Sequence, residues 1–119
     1  MVYFELSEFD SPDLKGSGAK MDESFLYMLD EAREIAGIPF KINSGSRCEE
    51  HNKAVDGSND SDHMLGCGVD IHAVTSRQKW FIINALLAVG IDRIGIAKKF
   101  IHAGDSSLSE NSDHVIWVY

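Results

Sequence analysis

Basic residues are in short supply: 11 Lys and Arg stand against 19 Asp and Glu in 119 residues, a formal net charge of −8. Nucleic-acid affinity comes chiefly from lysine and arginine neutralising phosphates, so this balance argues against a nucleic-acid partner. Prolines number only two and 44% of residues are hydrophobic, which excludes a disordered or collagen-like chain and leaves a compact globular one. Cysteine is confined to Cys48 and Cys67, with no CxxC pair, and this falls short of a disulfide framework. Two reduced, partly buried thiols are expected, with a single disulfide left open because spacing does not show whether the two approach. Long apolar runs are missing as well. No segment nears the roughly eighteen residues that cross a bilayer, so no membrane association is expected. The opening "MVYFELSEFDSPDLKG" has early acidic residues and no basic start before an apolar stretch, so no secretory signal is visible.

What is present suits one domain over residues 1–119, with residues 1–19 as an N-terminal arm. That arm is punctuated by Ser7, Ser11, Pro12, Gly16, Ser17 and Gly18, and Phe4, Leu6 and Phe9 are its expected anchors to the core. From Asp22 to Ala36 the apolar residues Phe25, Leu26, Met28, Leu29, Ala32, Ile35 and Ala36 recur every three or four positions, and Gly37 follows. This pattern predicts an amphipathic helix with a glycine stop. "PFKINSG" alternates as a strand ending at Ser44-Gly45, and "RCEEHNKAV" suits a short helix closed by the turn-formers "DGSND". "GVDIHAV" reads as a strand, and "SRQKWFIINALLAVG" as a helix opening on a Ser76 cap and ending at Gly90. "DRIGIAKKFIHAG" and "HVIWVY" read as strands separated by the polar "DSSLSENSD". Helices mixed with mainly antiparallel strands in this order predict an α+β domain.

The stretch "SDHMLGCGVDIHA" holds the most chemistry. Zinc is commonly bound by histidine nitrogen and carboxylate oxygen, with three protein ligands at catalytic sites. His63 and Asp70 supply two candidates, and Gly66 and Gly68 would let the loop between them turn sharply. The same residues also read as a glycine turn running into a buried strand. A third ligand would come from His51, His72, His102 or His114. His72 shares a strand face with Asp70, His102 ends an apolar strand, and His114 opens the last one. Arg47, at a strand end, suits bidentate binding of a carboxylate, although on local sequence a surface pairing with Glu49 or Glu50 is the more ordinary role.

"INSGSRCEEHNKAV", "SNDSDHMLGCGVDI", "RIGIAKKFIHAG" and "VIWVY" together resemble the zinc D-alanyl-D-alanine carboxypeptidase family. That family includes murein endopeptidases and shares its fold with the Hedgehog signalling domain. The likeness is closest to its small single-domain group, often encoded by phages. Two motifs carry it: S-G-x-R, here Ser44 to Arg47, and S-x-H-x-x-G-x-x-x-D, here Ser61 to Asp70.

The resemblance implies Zn2+ held by His63, Asp70 and a late histidine, His102, with His114 as the alternative. Arg47 would grip the substrate and Ser61 would line the site. The implied substrate is a peptidoglycan peptide cut next to a D-amino acid, by carboxypeptidase or endopeptidase action, and a monomer is expected. Synthesis in the cytoplasm with release by lysis, or carriage on a virion, is the implied location. One departure concerns proton transfer. Many relatives place Glu or Asp three residues before the last zinc histidine, or a histidine two before it. This chain has Lys99 and Phe100 there. Closer relatives read F-I-H-x-D, whereas here Gly104 precedes Asp105. Asp105 and Asp113 are therefore the expected catalytic acids. The departure also keeps open a non-catalytic, zinc-containing binding or structural module on the same fold.

Overall fold

The computed structural model describes residues 1–46, 54–55 and 61–119. Among the described residues, the helices Glu23–Ala36 and Ser76–Ala88 and a five-stranded sheet make up the body. Helix α1, Glu23–Ala36, starts where the Asp22 carboxylate accepts the Phe25 N–H at 2.9 Å, and stops at Gly37, whose φ of 69° is left-handed. Phe25, Leu26, Leu29, Ala32 and Ala36 form its buried stripe. Ile35, expected on that stripe, is instead 48% exposed, on the stripe's edge where the helix turns towards solvent. Helix α2, Ser76–Ala88, is capped one residue earlier than the sequence suggests. The Thr75 hydroxyl, not that of Ser76, accepts the Gln78 N–H, and the Gln78 side chain returns to the Thr75 N–H. This reciprocal pair satisfies two otherwise orphaned donors, which a cap at Ser76 would not do. The two helices pack on each other, and α2 also rests on the sheet. Neither is long and apolar enough to cross a membrane.

The strands are β1 (Ile42–Ser44), β2 (Gly68–His72), β3 (Arg93–Ile96), β4 (Phe100–Gly104) and β5 (Val115–Val118). Their order across the sheet is β1-β2-β4-β3-β5, antiparallel at each junction except β3 with β5, which is parallel. The α+β architecture with a mainly antiparallel sheet is thus as expected, but "DRIGIAKKFIHAG" is two strands rather than one. The chain reverses at the exposed Lys98 and Lys99, and the Ala97 N–H closes the turn on the Phe100 carbonyl at 3.0 Å. Two adjacent lysines cannot continue a strand whose neighbours are buried, whereas at a hairpin tip their ammonium groups stay hydrated.

Pairing places Ser44 opposite Asp70, Asp70 opposite His102, His102 opposite Gly95, and Gly95 beside Trp117. Directly paired residues share a face, so these five form one row across the sheet. The neighbouring positions Val69, Ile71, Ile94, Ile101 and Ala103 face the other way into the helix-backed core, and all are fully buried. One face of the sheet is therefore structural and the other carries the polar groups.

The N-terminal arm is ordered by two 3-10 turns, Leu6–Phe9 and Ser17–Lys20, stitched together by the Asp10 carboxylate accepting from the Gly16 and Gly18 N–H groups. Phe4 and Phe9 are buried anchors, but Leu6 is 45% exposed; it lies on the outer side of the first turn. The arm crosses the end of β1, where the Ser46 N–H donates to the Phe9 carbonyl at 2.7 Å. A Cβ on Gly45 would fall 2.6 Å from the Phe9 Cα, so only glycine admits the crossing. The expected short helix over 47–55 and Cys48 lie largely or wholly outside the described residues.

Ile101, fully buried at the centre of the sheet, should lose about 2–5 kcal/mol of unfolding free energy on substitution by alanine. Ile116→Ala, at a 58% exposed edge position, should stay within about 0.5 kcal/mol of the parent. Urea denaturation midpoints compare the two.

Candidate metal centre

Residues 61–67 fold back on themselves before β2 begins. The His63 and Met64 N–H groups both turn towards Ser61, onto its hydroxyl and its carbonyl, and the Cys67 N–H reaches the Asp62 carbonyl at 3.0 Å. Gly66 adopts φ 74° and passes close over the start of α1, where its carbonyl accepts the Asp22 N–H at 2.9 Å; a Cβ there would sit 2.7 Å from the Lys20 carbonyl. The glycine turn thus delivers His63 from the loop onto the polar face of the sheet.

His63, Asp70 and His102 converge there, each buried, with one ligating atom apiece and all those atoms within 4.8 Å of one another. The His63 Nδ1 lies 2.8 Å from the Gly45 carbonyl. A carbonyl only accepts, so Nδ1 carries a proton, and Nε2, turned towards Asp70, is the nitrogen available to an ion. That Nε2 is 3.3 Å from Asp70 Oδ1, which is in turn 3.0 Å from His102 Nδ1. Ligands about 2.0–2.1 Å from a tetrahedral zinc are separated by about 3.3 Å, so the donor set and its spacing fit that ion.

A second carboxylate backs the first. Asp62, 4% exposed, places Oδ2 2.8 Å from His102 Nε2 and 3.0 Å from Arg93 Nε, while Oδ1 accepts from Asn111 Nδ2 at 3.0 Å. Arg93 Nη1 continues to the Ser112 carbonyl at 2.6 Å, and its guanidinium lies over the Trp117 ring. Burial alone would raise the Asp70 pKa, but hydrogen bonds from His102 and His63 outweigh it and hold the carboxyl well below its ordinary value. Asp62 is likewise lowered against burial, by His102 and Arg93. Burial opposes charge on His102, yet its bonds to Asp62 and Asp70 raise its pKa. Trp117, half-buried, sits 5.5 Å ring to ring from His102, over Gly95, where any Cβ would strike the indole at 2.7 Å.

The other expected site residues that the structure describes do not belong to this cluster. Ser61 is half-buried and accepts the His63 N–H. Asp105 follows β4 directly, its N–H on the Cys67 carbonyl and its carboxylate capping the 3-10 turn Ser106–Leu108 through the Ser107 N–H at 3.0 Å. Asp113 and His114 pair with each other at 3.3 Å with side chains 72% and 83% exposed. His72 is half-buried at the end of β2, opposite Phe100. Arg47 and His51 lie outside the described residues. Sequence reasoning missed Asp62, Arg93, Asn111 and Trp117. For Asp62 the available signal was its place between Ser61 and His63.

Cys67 is a free, fully buried thiol whose pKa is pushed up to about 12, first by burial and then by the charges of Asp62 and Asp105. Its alkylation by iodoacetamide at pH 8 should be roughly a thousandfold slower in the folded protein than for an ordinary thiol, because so little thiolate forms. Mass analysis of the Cys67 peptide before and after urea unfolding reads the difference.

No individual curated protein matches the chain. The sequence model of the family described as Peptidase M15, a group of zinc-dependent metallopeptidases, matches residues 2–104, a span that contains His63, Asp70 and His102. On that match, together with an α+β fold that brings a His-Asp-His cluster together on the polar face of its sheet, the chain belongs to the M15 peptidase family.

Proposed function

We propose that the chain hydrolyses peptide bonds of peptidoglycan stem peptides or cross-links, next to a D-amino acid, with zinc held by His63, Asp70 and His102. The observation that carries this is the convergence of those three side chains, with donor spacing that suits a tetrahedral ion, in a chain of the M15 family. A zinc ion so held supplies Lewis acidity to the scissile carbonyl and lowers the pKa of a bound water. The Gly45 carbonyl fixes the His63 tautomer, and the depressed Asp70 pKa keeps that carboxylate ionised for binding. Trp117 forms a wall beside His102, against which the apolar part of a substrate residue packs. Arg47, which follows Ser46, is assigned to the substrate's carboxylate, and Ser61 to the rim of the site.

Proton transfer to the leaving amine is assigned to Asp105 ahead of Asp113. Asp105 leaves β4 three residues after His102 and its backbone is anchored on Cys67, whereas Asp113 stands in solvent with His114. Reaching the site requires the Asp105 carboxylate to release the Ser107 N–H. The second reading, a zinc-containing binding module without hydrolysis, draws its support from Lys99 and Phe100 standing where relatives carry the proton shuttle.

Zinc content of the purified protein, followed by release of amino groups from peptidoglycan, separates the two. Stoichiometric zinc with hydrolysis is expected, and a chelator should abolish the activity until zinc is returned. Bound zinc without hydrolysis would favour the binding module, and a zinc-free protein would overturn both. Asp105→Asn should lower kcat by about 10²–10⁴-fold at unchanged zinc content, while Asp113→Asn should leave it near the parent value. Equal turnover in both variants would show that the shuttle lies elsewhere.

A further inference from the structure

We infer that Asp62 is a positioning residue for the metal centre: its carboxylate locks the His102 imidazole so that Nε2 carries the proton and Nδ1 is the ligating atom. The inference rests on the zinc-binding reading above. It stands on three geometric observations.

The first is the hydrogen bond itself, 2.8 Å between Asp62 Oδ2 and His102 Nε2, with both side chains buried. The second is the space made for it. Gly68 and Gly104 are register partners across β2 and β4. A Cβ on Gly68 would fall 2.3 Å from the Asp62 Cβ, and one on Gly104 would fall 2.4 Å from Asp62 Oδ2 and 3.2 Å from His102 Nε2. The paired strands lack side chains where the loop carboxylate enters, and Asp62 fills the volume that a residue at 104 would otherwise occupy. The third is the orientation of the carboxylate, held from its far side by Arg93 Nε and Asn111 Nδ2, both at 3.0 Å. Arg93 is itself tied to the Ser112 carbonyl. Asp62 is thereby fixed by groups that do not take part in binding the ion.

The consequence is chemical. Both His102 nitrogens face a carboxylate, Nδ1 the Asp70 Oδ1 at 3.0 Å and Nε2 the Asp62 Oδ2 at 2.8 Å. Only Asp70 belongs to the cluster of ligating atoms, so an ion held there would displace the proton on Nδ1 and leave the one on Nε2 bound to Asp62. Carboxylate–histidine–metal pairs of this kind fix the ring's tautomer and raise its basicity, and their loss typically weakens metal binding about 10–100-fold. An Asp62–Arg93 ion pair with a purely structural role would support the fold without dictating which nitrogen of His102 meets the ion.

Two measurements test the inference on the full chain. Two-bond ¹H–¹⁵N spectra of the zinc-loaded wild type should show His102 protonated at Nε2 and metallated at Nδ1; metallation at Nε2 would overturn the inference whatever the variants do. Asp62→Asn, nearly isosteric, should keep its far-ultraviolet circular dichroism yet bind zinc about 10–100-fold more weakly in competition with a chromophoric chelator. Wild-type zinc affinity in that variant would also overturn it, while leaving the zinc-peptidase proposal standing. If the variant does not fold, the wild-type spectrum decides alone. A wild type that takes up no zinc in the same assay removes the inference and the proposed function together.

Discussion

The pairing of β2 with β4 governs both the core and the site. Placing Asp70 opposite His102 also places Ile71 opposite Ile101 and Val69 opposite Ala103. Side chains alternate between faces, so a slip of one residue would send the candidate ligands into the core and the aliphatic residues out to the polar face. The register is held by the apolar side. Fully burying one aliphatic side chain contributes about 1.5–3 kcal/mol, and several are buried along these two strands. The glycine pair at the strand ends adds a steric condition, because only with Gly68 opposite Gly104 is there room for the loop that carries His63.

Two buried carboxylates so close together demand compensation. Removing the partner of a buried charge costs about 3–5 kcal/mol, and each carboxylate here comes with its own donors. Asp62 is saturated by Arg93, Asn111 and His102. Asp70 faces two imidazoles, groups that can exchange a proton for a shared cation. The inner carboxylate is left for metal chemistry because the outer one is already satisfied. Arg93 and the 111–112 segment thereby link the third and fifth strands electrostatically to a site whose ligands they do not supply.

Local signals in the sequence were enough for α1, whose apolar stripe and glycine stop follow one another directly, and for β2. Spacing brought forward His63 and Asp70, and motifs shared with a known family added His102, the three side chains that the fold brings together. The hairpin at Lys98–Lys99 was hidden because apolar residues run on both sides of it, and a composition pattern does not show where the chain reverses. Leu6 and Ile35 carry apolar side chains on segments whose buried side is set by tertiary packing. Asp62 was marked locally only by its place between Ser61 and His63: its partners come from positions 93, 102 and 111, and no local pattern announces a contact of that sequence separation. Arg47, prominent in the sequence, lies outside the described residues.

The two faces of the sheet divide inheritance by parity. Along β4, His102 and Gly104 lie on the polar face with the candidate ligands while Ile101 and Ala103 serve the fold. Substitutions can accumulate in either set with little interference from the other, so the polar face can vary on an unchanged scaffold. A single-residue insertion within the strand has no such freedom. It would exchange the two sets at once, and so lineages carrying this sheet are free to vary its letters but not its count.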